Sequence, residues 1–150
     1  MYELLKKLIP KTLIKRNEPI IRKFISLFYK GNRFQCTVCD FKMSRFITLK
    51  NEDKLCPKCG SLSRTRRLWV LLEPKLKNAK ILHFSPSKSI KPRLESLTNG
   101  TYITTDYAGE FEAMKRLNIE SIDEPDNQYN IVICYHVLEH IENDLTAMKE

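Results

Sequence analysis

The stretch Asn130-Ile131-Val132-Ile133-Cys134 sets an unbroken apolar run between a polar turn, Asp123 to Asn130, and Tyr135. A half-buried strand alternates polar and apolar positions. A continuous run rich in β-branched residues instead predicts a strand covered on both faces. Working outward, Lys80-Ile81-Leu82-His83-Phe84 and Thr101-Tyr102-Ile103-Thr104-Thr105 read as further strands. Between them, a loop from Ser85 to Ser89 with helix-capping serines leads into a helix from Ile90 to Leu97, and Asn99-Gly100 turns the chain. Ser63 to Leu76 reads as helical, carrying Leu68, Trp69, Leu71 and Leu72, with Ser61 or Ser63 as N-cap. A less regular stretch holds Phe111 to Leu117, and a helix is expected from Val137 onward. Strands alternating with helices predict an α/β fold with a parallel sheet.

Four cysteines precede this alternation. Cys36, Cys39, Cys56 and Cys59 form C-x2-C-x16-C-x2-C, a spacing at which two thiolate pairs close a tetrahedron around one Zn²⁺. The second pair reads Cys56-Pro57-Lys58-Cys59-Gly60: Pro57 presets the turn and Gly60 takes the positive φ of a metal knuckle. Short strands, Arg33-Phe34-Gln35 and Arg45-Phe46-Ile47-Thr48-Leu49, are expected to flank the knuckles. The segment holds too little apolar surface to fold without metal. The competing reading is two disulfides in a small secreted domain. No signal-peptide pattern opens the chain, which favours a reducing cytoplasmic setting. A redox role is weaker, since neither pair opens a helix after a strand.

The 150 residues have room for one ordinary domain, or for a small module and part of a larger one. Charge is uneven. Residues 1–70 carry 17 Lys and Arg against 5 Asp and Glu, whereas residues 71–150 carry 9 against 13. A basic front half suits nucleic acid, an anionic membrane surface or an acidic partner; the plain alternative is a solvated basic face. No apolar run approaches the roughly 18 residues that would span a bilayer. Residues 1–30 show helical apolar spacing, with Leu4, Leu5, Leu8, Ile9, Leu13, Ile14, Ile20, Ile21, Phe24, Ile25 and Phe28, breaks at Pro10 and Pro19, and an end at Gly31-Asn32. Its apolar stripe is expected to pack on the rest of the protein; a membrane-surface helix is the alternative. The expected organisation is a basic amphipathic helical segment over 1–32, a cysteine module over 33–62 and the α/β part over 63–150.

In a doubly wound sheet, ligands bind beyond the carboxyl ends of the strands. Three such ends carry polar groups: His83 to Ser87, Asp106, and Cys134 to His136. An acidic residue ending the second strand can accept from both hydroxyls of a ribose. A turn or cap role is the alternative for Asp106. His136-Val137-Leu138-Glu139-His140 also matches H-x-x-E-H, an inverted zinc-protease motif. That motif needs a helix through both histidines, whereas here a strand runs up to Tyr135. Cys134 reads as a small buried apolar residue rather than a nucleophile.

These residues carry a resemblance. Cys56-Pro57-Lys58-Cys59-Gly60-Ser61-Leu62-Ser63-Arg64 leads into Arg67-Leu68-Trp69, followed by Ile81-Leu82-His83-Phe84-Ser85-Pro86. Ile131-Val132-Ile133-Cys134-Tyr135-His136-Val137-Leu138-Glu139-His140-Ile141 then precedes Asp144 and Ala147-Met148. Residues 56–148 resemble class I S-adenosylmethionine-dependent methyltransferases of the type 11 kind, within a subgroup bearing an N-terminal zinc ribbon. The resemblance implies the N-terminal half of a Rossmann-like methyltransferase sheet, preceded by the helical segment and the ribbon. It implies S-adenosylmethionine and structural zinc as cofactors. His83, Phe84, Ser85, Asp106, Asn118, Ile119 and Cys134 would contact the cofactor, Asp106 at its ribose and Asn118-Ile119 at its adenine. His136 would accept a proton near the methyl acceptor or contact the cofactor, and Glu139 and His140 would cap, orient or bind a metal; the plain alternative for the latter two is helix-surface or packing residues.

Departures from the family pattern are physical. Glycines in the usual first loop let the backbone approach the cofactor's methionine part. Ser85-Pro86-Ser87 stands there instead, and Ser87 replaces the glutamate usual in the subgroup. Asn118 and Asn130 replace aspartates, so Asn118 would accept from the adenine amino group without a charge. About four strands are visible where the family has seven. The chain stops at Met148-Lys149-Glu150 inside an expected helix, so it reads as truncated after the fourth strand, with Ile131 to Cys134 as an apolar sheet edge. The expected function is methyl transfer to an acceptor that the sequence does not name. The alternative is a non-catalytic zinc-ribbon module docking nucleic acid or a protein partner.

Overall fold

The computed structural model describes residues 17–98 and 102–150. The first half of the expected N-terminal helix, with Pro10, lies outside them. The chain divides into two compact units, Met1–Val70 and Leu71–Glu150. It is mixed α/β, with a cysteine cluster in the first unit and a small parallel sheet in the second. Among the described residues no helix is long and apolar enough to cross a membrane.

In the first unit, helix α1 spans Glu18–Leu27. Pro19 was expected to break a helix; it sits in the first turn, where a missing N–H costs nothing. Ile21 and Ile25 are half-buried, but Ile20, Phe24, Leu27 and Phe28 are exposed, so the expected packing of the whole stripe does not hold here. The helix ends at Leu27, before the expected end at Gly31-Asn32. Strand β1, Lys30–Gln35, runs through both and pairs antiparallel with β2, Lys42–Met43, across a bulge. A Cβ on Gly31 would lie 2.7 Å from the Ser44 nitrogen, so this glycine serves a close strand approach rather than a helix stop. A second antiparallel pair joins β3, Ile47–Thr48, to β4, Lys54–Leu55. Cys36, Val38, Met43, Leu55, Cys56 and Trp69 are buried. Helix α2, Ser63–Leu72, starts on a cap from another segment: one Asp53 carboxylate oxygen accepts the Ser63 N–H at 3.3 Å and its hydroxyl at 2.8 Å. A 3₁₀ turn, Glu73–Lys75, follows at Pro74.

The second unit holds three parallel strands in the order β6-β5-β7: β5 Ile81–Phe84, β6 Tyr102–Thr105 and β7 Ile131–Ile133. Helix α3, Lys91–Leu97, lies between β5 and β6 in the chain. Central β5 is buried at every residue, as a strand flanked on both sides requires. Strand β7 differs from expectation. Val132 is 54% exposed whereas the next residue, Ile133, is buried, so one face of β7 is covered and the other is open. The helix expected from Val137 is also absent as a continuous element. A 3₁₀ turn, Leu138–His140, ends at extended Ile141, and a single-turn helix α4, Asp144–Ala147, begins anew. Asn143 restarts it, its side chain accepting the Thr146 N–H at 3.1 Å. The irregular segment 111–117 runs beside β6, held by the buried threonines Thr104 and Thr105, whose hydroxyls accept the Met114 and Leu117 N–H groups.

Candidate functional site

Two near-identical turns build the cysteine centre. In the first, the Asp40 N–H donates to the Cys36 carbonyl and the Cys36 N–H to the Phe41 carbonyl. In the second, the Gly60 N–H donates to the Cys56 carbonyl and the Cys56 N–H to the Ser61 carbonyl. Each turn closes on a left-handed residue: Asp40 at φ 56° and Gly60 at φ 76°. The expected role of Gly60 is thus present, and Asp40 plays its counterpart, since a short polar side chain tolerates this region. The signal lay in the residue following each second cysteine.

The turns bring the four sulfurs within 4.8 Å of one another. Cys36 and Cys59 sulfurs are 3.7 Å apart, and those of Cys39 and Cys56 are 3.8 Å apart. Bonds of about 2.3 Å from a tetrahedral metal put ligand sulfurs about 3.8 Å from each other, so the spacing fits a bound ion. A disulfide would hold its sulfurs about 2.05 Å apart, and all four cysteines are free. Cys36, Cys39, Cys56 and Cys59 could therefore hold a metal ion. Hydrogen bonds from neighbouring thiols, Cys39 foremost, hold Cys36 far below the ordinary thiol range. Hydrogen bonding, with Cys36 foremost, pushes Cys39 above it.

Ser61, expected only as a helix N-cap, and two arginines support this centre. The Ser61 hydroxyl, fully buried, lies 3.1 Å from the Cys59 sulfur and 3.3 Å from that of Cys36. Arg66 on α2 donates to the carbonyls of Ser61 at 2.6 Å and Lys54 at 2.9 Å, and its guanidinium lies 4.3 Å from the Phe46 ring centroid. It fastens α2 to both the second knuckle and β4. Arg22 of α1 lies against Gly60, where an added Cβ would meet its guanidinium carbon at 2.9 Å.

In the second unit the chain leaves β5 through Ser85, at φ 47°, and passes His136, at φ 58°, after β7. Left-handed backbone outside glycine costs about 1–2 kcal/mol. The Ser85 N–H donates to the Thr105 carbonyl and its hydroxyl to Asp106 Oδ1, both at 2.8 Å. Asp106 Oδ2 accepts the N–H groups of Glu110, at 2.6 Å, and Phe111, at 3.1 Å. Burial pushes the Asp106 carboxyl up, but the Phe111, Ser85 and Glu110 donors outweigh it and hold it below the ordinary carboxylate range. The Gly109 N–H also bears on this carboxylate and lowers its pKa, so its acceptor positions are largely engaged.

The remaining expected residues fall into separate places. Phe84 and Ile119 are buried in an apolar cluster with Leu82 and Ala147, against which Cys134 packs. His83 is 2% exposed, its Nδ1 is 2.7 Å from the Tyr102 hydroxyl, and burial pushes its pKa down to about 4. Asn118 accepts the Glu120 N–H at 3.0 Å through its side-chain carbonyl, the group expected to face an adenine. His136 is exposed; its Nδ1 lies 2.5 Å from Glu139 Oε1, and this bond draws the Glu139 carboxyl below its ordinary range. His140 is exposed on the same 3₁₀ turn. No protein-family model, no curated protein and no solved structure matches the chain.

Proposed function

We propose that the second unit is the cofactor-binding half of an S-adenosylmethionine-dependent methyltransferase, and that the cysteine centre before it is a structural zinc ribbon. The observation that carries this reading is the Ser85–Asp106 pair at the carboxyl ends of adjacent parallel strands. Strand order supports it: β5 has β6 on one side and β7 on the other, the arrangement that opens a ligand crevice in doubly wound sheets. The ionised Asp106 fits a sugar hydroxyl that displaces one of its present donors, the Ser85 hydroxyl first. S-adenosylmethionine supplies an electrophilic methyl group on sulfonium. His136 is suited to take the acceptor's proton. Its Nδ1–H donates to the Glu139 carboxylate, which fixes the tautomer with Nε2 free to accept. Transfer of this kind depends chiefly on alignment, so Asp106 and the 84–87 loop act by positioning.

Zinc fits the first unit because four thiolates at tetrahedral spacing, with no open ligand position, describe a structural site. Calorimetry with S-adenosylhomocysteine on the metal-loaded chain tests the cofactor reading. Saturable binding that weakens about 10- to 100-fold on Asp106→Ala is expected. No heat of binding, or equal affinity in the variant, contradicts it.

A further inference from the structure

We propose that the β1–β2 hairpin of the first unit docks single-stranded nucleic acid through Tyr29, Arg33, Phe34 and Arg45. This inference is independent of methyl transfer. It begins with aromatic rings each carrying a cation. The Arg33 guanidinium carbon lies 5.5 Å from the Phe34 ring centroid, and that of Arg45 5.6 Å from the Tyr29 centroid. Phe34 is 41% exposed and leans on Phe46 at 5.6 Å between centroids, and the Arg66 guanidinium also lies over Phe46. Phe34 is therefore an exposed ring on a fixed support. Tyr29 is tied to the hairpin by its carbonyl, which accepts the Ser44 N–H at 2.8 Å.

Charge selects the partner. From Pro19 to Asn51 there are seven Lys and Arg and one carboxylate, Asp40. Among the described residues no carboxylate lies within ion-pair distance of Arg33 or Arg45. Both are exposed, with aromatic rings as neighbours. Guanidinium groups in this state attract phosphate, and the adjoining rings offer faces on which unpaired bases stack. An acidic peptide would satisfy the cations and leave the rings unused. A duplex keeps its base faces covered. Single-stranded nucleic acid uses both kinds of group.

The test is fluorescence anisotropy of a labelled oligouridine of about 12 nucleotides with the metal-loaded full chain, without added cofactor. Expected is saturable binding whose logarithm falls with log salt by about 0.7 for each phosphate contacted. Arg33→Ala and Arg45→Ala should each flatten that slope by about 0.7. Phe34→Ala should weaken binding about tenfold and leave the slope unchanged. Equal zinc content and amide dispersion in all three variants establish that they fold. The proposal is overturned by absence of saturable binding at low salt, or by equal binding of a duplex. It is likewise overturned if polyglutamate competes equally and Phe34→Ala has no effect, which marks a general acidic-partner surface.

Discussion

Lowering the pH from 7 toward 4 should destabilise the second unit through one side chain, His83. Its ring is 2% exposed in the central strand, and burial depresses its pKa from 6.5 to about 4. In the unfolded chain the same ring takes its proton near pH 6.5. Between these values the unfolded state binds more protons, so stability rises with pH across that window. The contribution is complete above pH 6.5 and is lost as pH falls toward 4. A depression of this size corresponds to about 3 kcal/mol, a large part of the stability of a small domain. The Tyr102 hydroxyl at 2.7 Å does not change the sign, because it donates to the neutral ring and accepts from the charged one. Carbon-13 NMR of the histidine Cε1 signals follows the ring directly, with His136 and His140 assigned by substitution. Urea unfolding read from second-unit amide signals separates the effect from acid release of a metal in the first. His83→Phe should cost about 1–3 kcal/mol by leaving the Tyr102 hydroxyl without its partner, and should flatten the acid dependence. A His83 signal titrating near pH 6.5 in the folded protein would refute the argument, since the ring would then be solvated.

Removal of the metal with a chelator should collapse the amide dispersion of residues 30–66, with about one zinc per chain recovered; an iron-loaded sample would instead absorb visible light. Arg66→Met keeps the stem but loses the bonds to Ser61 and Lys54, and should cost about 1.5–3 kcal/mol and 10- to 100-fold in metal affinity, measured by competition with a chromophoric chelator. Gly60→Ala should lower stability in thermal melts by about 1–2 kcal/mol, because φ is 76° and Arg22 fills the space.

What could be read from the sequence was what local spacing dictates. The two Cys-x-x-Cys pairs announced a cluster that could hold a metal, because their sulfurs come from two short turns. Ile81–Phe84 and Tyr102–Thr105 announced themselves as strands because apolar, β-branched and aromatic residues cluster between loops. What escaped depends on partners distant in the chain. Arg66 acts across to Lys54, Asp53 caps Ser63, and the Tyr102 hydroxyl meets His83. Gly31 looked like a helix stop, yet its lack of a side chain serves Ser44. The apolar run Ile131–Ile133 suggested burial on both faces, but only the face of Ile133 is covered, and Val132 on the other is exposed. After it, the apolar spacing from Val137 concealed a competing cap at Asn143.

At the carboxyl edge, the sequence offered Asp106 and Ser85 separately. Their hydrogen bond and the left-handed turn at Ser85 depend on the register of β5 against β6. Phe84, Ile119 and Cys134 were expected beside a cofactor. Phe84 and Ile119 share an apolar cluster against which Cys134 packs.

The measurement that bears most directly on the methyltransferase reading is amide chemical-shift mapping with S-adenosylhomocysteine on the isotope-labelled, metal-loaded chain. The account predicts saturable shifts at Ser85, Asp106, Glu110 and Phe111 and around His136, with the residues of the cysteine centre unmoved. Shifts confined to the first unit, or none at any concentration up to millimolar, would contradict it.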